Sequence, residues 1–95
     1  MKVMMAGKEL ELKDTVEWML SDDWKLRVKA EYLQANIRRK KLVKTLNHLD
    51  HKDERYPLLK TQLDCLMHYE QFLYWRIQND PELEQVWIDV RQYLK

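Results

Sequence analysis

Two histidines and two aspartates lie close together in the middle of the chain, where they could bind a metal ion. His48 and His51 have the His-x-x-His spacing that places two imidazoles on one helical turn, and Asp50 and Asp53 lie beside them. A metal site needs further ligands at a defined geometry and a second shell of hydrogen bonds, and none is apparent. Solvated turn residues explain this group as well. We therefore expect no metal and no cofactor.

Covalent chemistry has little support in this sequence. Cys65 is the one cysteine, so an internal disulfide is excluded, which agrees with a reducing compartment. Apart from His68 it has no neighbour at helical spacing that would activate a thiolate, and we expect a small buried residue. Ser21 is better explained as a helix cap than as a nucleophile, and one glycine cannot form a glycine-rich phosphate loop. We expect a protein that is not an enzyme.

Aromatic and cationic side chains suggest ligand binding more strongly than the residues above suggest catalysis. Aromatic faces stack on bases while Arg and Lys hold phosphates, which together are the minimum for a nucleotide site. Packing in a core or an interface is the alternative explanation, because Trp and Tyr are enriched there anyway. Five such residues could border one end of the helical bundle described below, where we expect any ligand pocket: Trp24, Arg27, Tyr32, Trp75 and Arg76.

The charge of the chain is unevenly distributed. Residues 24–46 carry eight cations and one anion, a net charge of +7, whereas the remainder carries −6. This asymmetry suggests an anionic ligand or electrostatic pairing between copies, and a merely solvated helix face is the alternative. Because the acidic remainder would repel a long polyanion, extended nucleic-acid binding is not expected.

Two long amphipathic segments position these residues. Their apolar positions match in mirror order around a polar connector, and the paired residue numbers add to 108 or 109 from 49 with 59 to 32 with 77. This pattern predicts an antiparallel hairpin of helices over about 22–49 and 57–78. Arg39 and Glu70 interrupt the two apolar stripes and fall opposite one another. Since a lone charge there would be costly, we predict that they form a structural ion pair.

The amino-terminal part is harder to interpret. Residues 1–13 show a two-residue alternation that is typical of a short strand or hairpin, or else they form a disordered tail. Asp14 and Glu17 have the spacing of a capping box, which predicts a short helix over about 15–20. Its expected buried side consists of Val16, Met19 and Leu20.

The carboxyl-terminal part has a clear helix start, with Asp80 as N-cap and Pro81 at the first helical position. An amphipathic helix should therefore cover about 81–94, giving one all-α domain over residues 1–95. One partner helix cannot cover both apolar rows of the first long helix, so we expect a homo-oligomer, a dimer or higher, that buries the rest of the second row: Leu26, Ala30, Leu33 and Ile37.

No membrane partner is expected. The longest apolar run is only a few residues, far below the roughly 20 that span a bilayer, and the amino terminus lacks the apolar core of a signal peptide. We expect a cytoplasmic protein.

A family resemblance adds to this interpretation. It rests on Val16 to Leu20, on Ser21 to Lys29 with the run Lys29-Ala30-Glu31-Tyr32, and on Gln62, Tyr69, Leu73 and Arg76. In these residues, positions 14–78 resemble a group of small helical accessory proteins of tailed phages and prophages, named after a reading frame in a crAss-like phage. The chain departs from the group in its extra carboxyl-terminal helix and in Arg39 and Glu70, where apolar residues are more usual.

The resemblance implies a phage protein that acts in the host bacterial cell. Small phage proteins of this size often counter bacterial defence. Some sequester nucleotide-derived immune signals in oligomer pockets, and others occlude a defence enzyme. We therefore expect a non-catalytic anti-defence protein that sequesters such a signal. The alternatives are a protein-binding inhibitor of a host defence enzyme, comparable to anti-CRISPR proteins, and a structural or regulatory helical scaffold.

Overall fold

The computed structural model describes residues 10–94, and in this range all regular structure is helical. The two long helices, α2 at Trp24–Asn47 and α3 at Tyr56–Gln78, run antiparallel as a hairpin, which confirms the predicted architecture. None of the described helices combines the length and hydrophobicity that a bilayer crossing requires. The elements are a 3-10 helix at Leu12–Thr15, α1 at Val16–Met19, α2 at Trp24–Asn47, α3 at Tyr56–Gln78, a 3-10 helix at Pro81–Leu83 and α4 at Glu84–Arg91.

Helix α2 has 24 residues and contains neither Gly nor Pro, so it extends about 36 Å without a break. It begins two residues later than the sequence pattern predicts. The N-cap is Asp23, whose carboxylate accepts a hydrogen bond from the backbone N–H of Lys25 at 3.0 Å. Ser21, the cap expected from sequence, instead accepts from the Asp23 N–H at 3.0 Å. Ser21 thus holds the turn that precedes the helix.

A polar connector joins α2 to α3. Asp53 accepts hydrogen bonds from the backbone N–H of Arg55 at 2.8 Å and from its guanidinium at 2.9 and 3.1 Å. These contacts with Arg55 lower the pKa of Asp53 to about 2. Pro57 follows in the first turn of α3, where a missing N–H costs no helical hydrogen bond.

The amino-terminal segment packs on α2 through polar as well as aromatic contacts. Thr15 is fully buried: its hydroxyl donates to the carbonyl of Leu12 at 2.7 Å and accepts from Gln34 Nε2 at 2.8 Å. The ammonium of Lys29 lies 4.1 Å from the centre of the Trp18 ring, a cation–π contact. Thr15 and Trp18 therefore form the side of this segment that faces α2.

Three expectations for this segment are wrong: the position of the capping box, a strand at residues 10–13, and the burial of Val16 and Leu20. The capping box joins Glu11 and Asp14, one turn earlier than predicted, and it starts a 3-10 helix where a strand was considered. Val16 and Leu20 are exposed, because the segment turns Thr15 and Trp18 towards α2 instead. The strand or disordered tail expected for residues 1–9 lies outside the described residues.

The second apolar row of α2 is mostly buried within one chain. Ala30, Leu33 and Ile37 are buried, with Leu10 and Trp18 packed against the core cluster that contains Leu33. The sequence predicted an oligomer because this row of α2 lacked a partner within one chain. That reason no longer applies.

Helix α4 packs on the hairpin next to the amino-terminal segment, and the ring of Tyr93, just after α4, lies 6.5 Å from that of Trp18. Asp80 caps the preceding 3-10 helix by accepting from the N–H of Glu82 at 3.0 Å, as predicted. Leu83, Val86 and Val90 are buried against α2 and α3. The regular helix ends at Arg91, three residues before the predicted end.

Replacing Leu33 should destabilise the fold strongly. It is among the largest fully buried side chains, and a Leu→Ala change in a packed core costs about 2–5 kcal/mol. Leu20 is 79% exposed, so Leu20→Ala should change the free energy of unfolding by no more than about 0.5 kcal/mol. Urea unfolding of both variants measures the difference, and equal costs would contradict the packing described here.

The connector should contribute a pH-dependent stabilisation. The pKa of Asp53 is about 2 in the folded chain and 3.8 without its partners. Because the folded value is the lower one, the contribution is present above pH 3.8 and is lost as the pH falls through about 2. NMR titration of the Asp53 carboxyl should show the low pKa, and Arg55→Gln should return it towards 3.8. An unchanged pKa in that variant would rule out Arg55 as the cause.

Candidate functional site

Two adjoining clefts form the candidate site. Both contain Tyr32, Arg39 and Glu70, and their volumes are about 360 and 350 Å³. Small-molecule sites typically enclose roughly 300–1,000 Å³, so each cleft is at the small end of that range. The first, which we call the α3 cleft, is completed by Met67, Gln71 and Tyr74. The second, which we call the α2 cleft, is completed by Asn36, Lys40 and Leu94.

The shared wall of the clefts is built by helical spacing. On α2, Tyr32, Asn36 and Arg39 recur at four- and three-residue intervals and therefore lie on one face. On α3, Glu70 lies on the face that packs against α2, between the buried residues Leu63 and Leu73. The antiparallel hairpin brings these two faces together.

The Glu70 carboxylate is held from two positions on α2. It accepts from Asn36 Nδ2 at 2.9 Å, and it accepts from Arg39 through Nε at 2.5 Å and Nη2 at 3.4 Å. The hydrogen bond with Glu70 is the main reason that the pKa of Arg39 is raised. A carboxylate whose two oxygens are both bonded can remain in an otherwise apolar contact between helices. Arg39 and Glu70, which the mirror alignment places opposite one another, therefore form a structural pair.

An aromatic group borders the ion pair. Trp87 of α4 contacts Tyr32 with ring centres 6.0 Å apart and Tyr74 with ring centres 5.2 Å apart, both edge-to-face. Burial, with a smaller effect of the Glu70 charge, raises the pKa of Tyr32, so its hydroxyl stays protonated. Tyr74 remains exposed at the rim. The α3 cleft thus offers one accessible aromatic ring, which Trp87 holds in place.

The electrostatics of the clefts depend on one lysine. Glu70 neutralises Arg39, so this pair adds no net charge. Lys40 is exposed, and within residues 10–94 it forms no salt bridge. The α2 cleft therefore carries about one net positive charge and is suited to a small anion.

The five residues expected from sequence at a ligand pocket lie in different surroundings. Tyr32 lines both clefts, whereas Trp24 packs against the hydrophobic core cluster. Arg27 is exposed and donates from Nη1 to the carbonyl oxygen of Ser21 at 2.6 Å. Trp75 and Arg76 are exposed on α3. Trp75 precedes the buried Ile77 by two residues, about 200° around the helix, so it lies opposite the face that contacts α2.

Sequence reasoning missed the cleft residues Asn36, Lys40 and Gln71. A usable signal existed, because Asn36 and Lys40 are four residues apart on α2 and Asn36 lies three residues before Arg39. A search for polar residues one helical turn from the predicted ion pair would have found Asn36.

The other reactive residues do not gather into a site. His48 and His51 are exposed, and His51 packs on Tyr56 with ring centres 4.6 Å apart. In the part of the chain that the structure describes, no three His, Cys, Asp or Glu side chains are grouped as metal ligands. Cys65 is exposed, so the expectation of a small buried residue is wrong: it lies on the side of α3 that faces away from α2.

Comparison with known proteins identifies one family. A family model described as Sequestin matches residues 22–79, more than half of the chain. The match covers α2, the connector and α3, and so includes Tyr32, Arg39 and Glu70. No curated protein and no solved structure matches the chain.

Removing the charge of Glu70 should destabilise the protein. In Glu70→Gln the amide oxygen can still accept from Asn36, but the partly buried Arg39 loses its charged partner, which costs about 1–3 kcal/mol. Asp64→Asn makes the same chemical change in the exposed pair with Lys60 on the same helix, and should cost less than about 1 kcal/mol. Urea unfolding compares the two. Equal effects would show that the Arg39 pair is no more important than a surface contact.

Proposed function

The chain belongs to the Sequestin family, and we propose that it binds and sequesters a nucleotide-derived immune signalling molecule without changing it chemically. The name of the family points to sequestration. The resemblance to small phage proteins supports an anti-defence role in an infected bacterial cell. The single observation that carries the proposal is the pair of clefts that combine Tyr32 and Tyr74 with Arg39 and Lys40.

Each part of a nucleotide has a matching group in the clefts. The exposed ring of Tyr74 can stack on a base, which is worth about 1–3 kcal/mol per base in other proteins. Lys40 can neutralise a phosphate. The pair with Glu70 uses Nε and Nη2 of Arg39, which leaves the Nη1 donors outside the pair for a second contact. Glu70 would repel a phosphate placed directly on it, so the phosphate belongs on the Lys40 side.

A second copy of the chain would complete the pocket. Ligand sites usually bury about 70–90% of a small molecule, and the clefts of one chain are open to solvent. We therefore propose that sequestration occurs in an oligomer, in which another protomer covers the bound signal. The sequence also suggested a pocket between copies. In the present proposal that pocket is centred on Tyr32 and Arg39.

The function can be tested by thermal shift and calorimetry with a panel of cyclic and linear nucleotides. One nucleotide should raise the melting temperature by several degrees, because a ligand at about 100 times its Kd adds roughly 2.7 kcal/mol. Lys40→Gln should weaken binding about 10- to 100-fold, the effect of losing one charged hydrogen bond. Lys44→Gln is the matched control, since Lys44 is an exposed lysine one turn further along α2.

Two outcomes would contradict this site. Equal losses in Lys40→Gln and Lys44→Gln would indicate general charge attraction. Binding that depends on Arg76 but not on Lys40 would return the site to the exposed side of α3, where the sequence placed Trp75 and Arg76.

One observation favours an inhibitor of a host defence enzyme as the second candidate. The second half of α2 presents an exposed cationic strip that could dock on an acidic protein surface: Arg38, Lys40, Lys41 and Lys44. In that case no nucleotide would bind. Purified defence enzyme would instead be inhibited in a salt-dependent manner, and Arg38→Glu with Lys41→Glu would abolish the inhibition.

A further inference from the structure

Helix α3 has two largely uncharged faces, and α2 covers only one of them. The other is a row of uncharged residues with heptad spacing on the far side of the helix, all of them exposed. We call this row the outer seam. It consists of Leu58, Thr61, Cys65, His68, Phe72 and Trp75.

The exposure of the outer seam is large for apolar residues. Leu58 is 74% exposed, Phe72 61% and Trp75 63%. The spacing alternates three and four residues from one end to the other, which is the a/d pattern of a helix that packs along a second helix. No charged residue interrupts it, although 35% of the chain is charged. A merely solvated face of a helix would carry charges at some of these positions.

We propose that the outer seam is the surface on which a second copy of this chain docks, with the two α3 helices antiparallel. An antiparallel twofold pair requires that residue i meets residue j while j meets i. The outer seam satisfies this condition throughout, since the paired numbers add to 133. Leu58 then meets Trp75 of the second copy. Thr61 meets Phe72, and Cys65 meets His68 at the centre.

Side-chain size suits this pairing, and the polarity of Thr61 does not oppose it. Each layer places a smaller residue beside a larger ring, as interdigitation requires. The hydroxyl of Thr61 already donates to the carbonyl oxygen of Pro57 at 3.0 Å, so covering Thr61 leaves no unmet donor. Beside the outer seam, Asp64 is paired with Lys60 of its own chain at 3.1 Å. The charge of Asp64 is therefore compensated within its own chain.

The contact is large enough for a specific dimer. The outer seam extends over about 26 Å at 1.5 Å per residue. Aromatic side chains bury roughly 150–250 Å² each when fully covered, and Phe72 and Trp75 are 61% and 63% exposed, so the four in two copies supply roughly 400–600 Å². The other seam residues bring the total to on the order of 1,000 Å². That is near the lower limit for a biological interface, and we expect a dimer of moderate affinity. In this pairing Trp75 is a residue of the contact between the two copies.

Sedimentation equilibrium of the full chain without nucleotide tests the surface. At concentrations on the order of 100 μM the wild-type mass should approach twice 11.8 kDa. Phe72→Glu places an unpaired charge in the outer seam and should weaken the dimer at least 10-fold while leaving the far-ultraviolet circular dichroism unchanged. Ile88→Glu is the matched control, an exposed apolar residue on α4 that should leave dimerisation intact.

Orientation is tested by adding a second charge. In the antiparallel pair Thr61 faces Phe72 of the other copy, so Thr61→Lys combined with Phe72→Glu should restore association lost in Phe72→Glu alone. A parallel pair would bring like charges together and remain dissociated. A monomeric wild type, or a dimer unaffected by Phe72→Glu, would overturn the proposal. Since no ligand is present, either result would be independent of whether Lys40 supports nucleotide binding.

Discussion

A bonded carboxylate in the contact between two long helices is the constraint on which the rest of this structure depends. Glu70 lies in the α2–α3 contact and is held by Asn36 and Arg39. Sliding one helix along the other by a turn would leave both charges without partners in a largely apolar surrounding, at a cost of several kcal/mol. An apolar contact alone would tolerate such a shift better. The ion pair therefore selects one register for the hairpin, and the register determines which residues of α2 and α3 line the clefts.

The remaining helices build on that register. Helix α4 inserts Trp87 between Tyr32 and Tyr74 and covers one side of the hairpin. The amino-terminal segment covers another side through Trp18 and Thr15. Both of these elements pack against α2, whereas the outer seam of α3 stays exposed in the part of the chain that the structure describes. The outer seam and the two clefts consequently lie on different parts of the same helix pair.

The clefts suit a small anion better than a long one. Their positive charge comes from Lys40, since Arg39 is neutralised within the pair. Steering of an extended polyanion needs many cations along one path, whereas a small phosphorylated ligand needs one or two together with an aromatic face. Membership of the Sequestin family agrees with a sequestering role.

The sequence by itself determined the helices, the order in which they follow one another, and the antiparallel pairing in which Arg39 falls opposite Glu70. These features depend on the spacing of apolar residues within a helix and on caps such as Asp80. Both are local properties that a short stretch of sequence contains. Only the tertiary structure decided which apolar residues are covered. Val16 and Leu20 have the spacing of a buried face but are exposed, and Thr15 is buried. Trp75 is exposed on α3, whereas Tyr32 is buried. The reason is that burial depends on how segments distant in sequence fit together in shape, and helical periodicity is the same whether or not a partner is present.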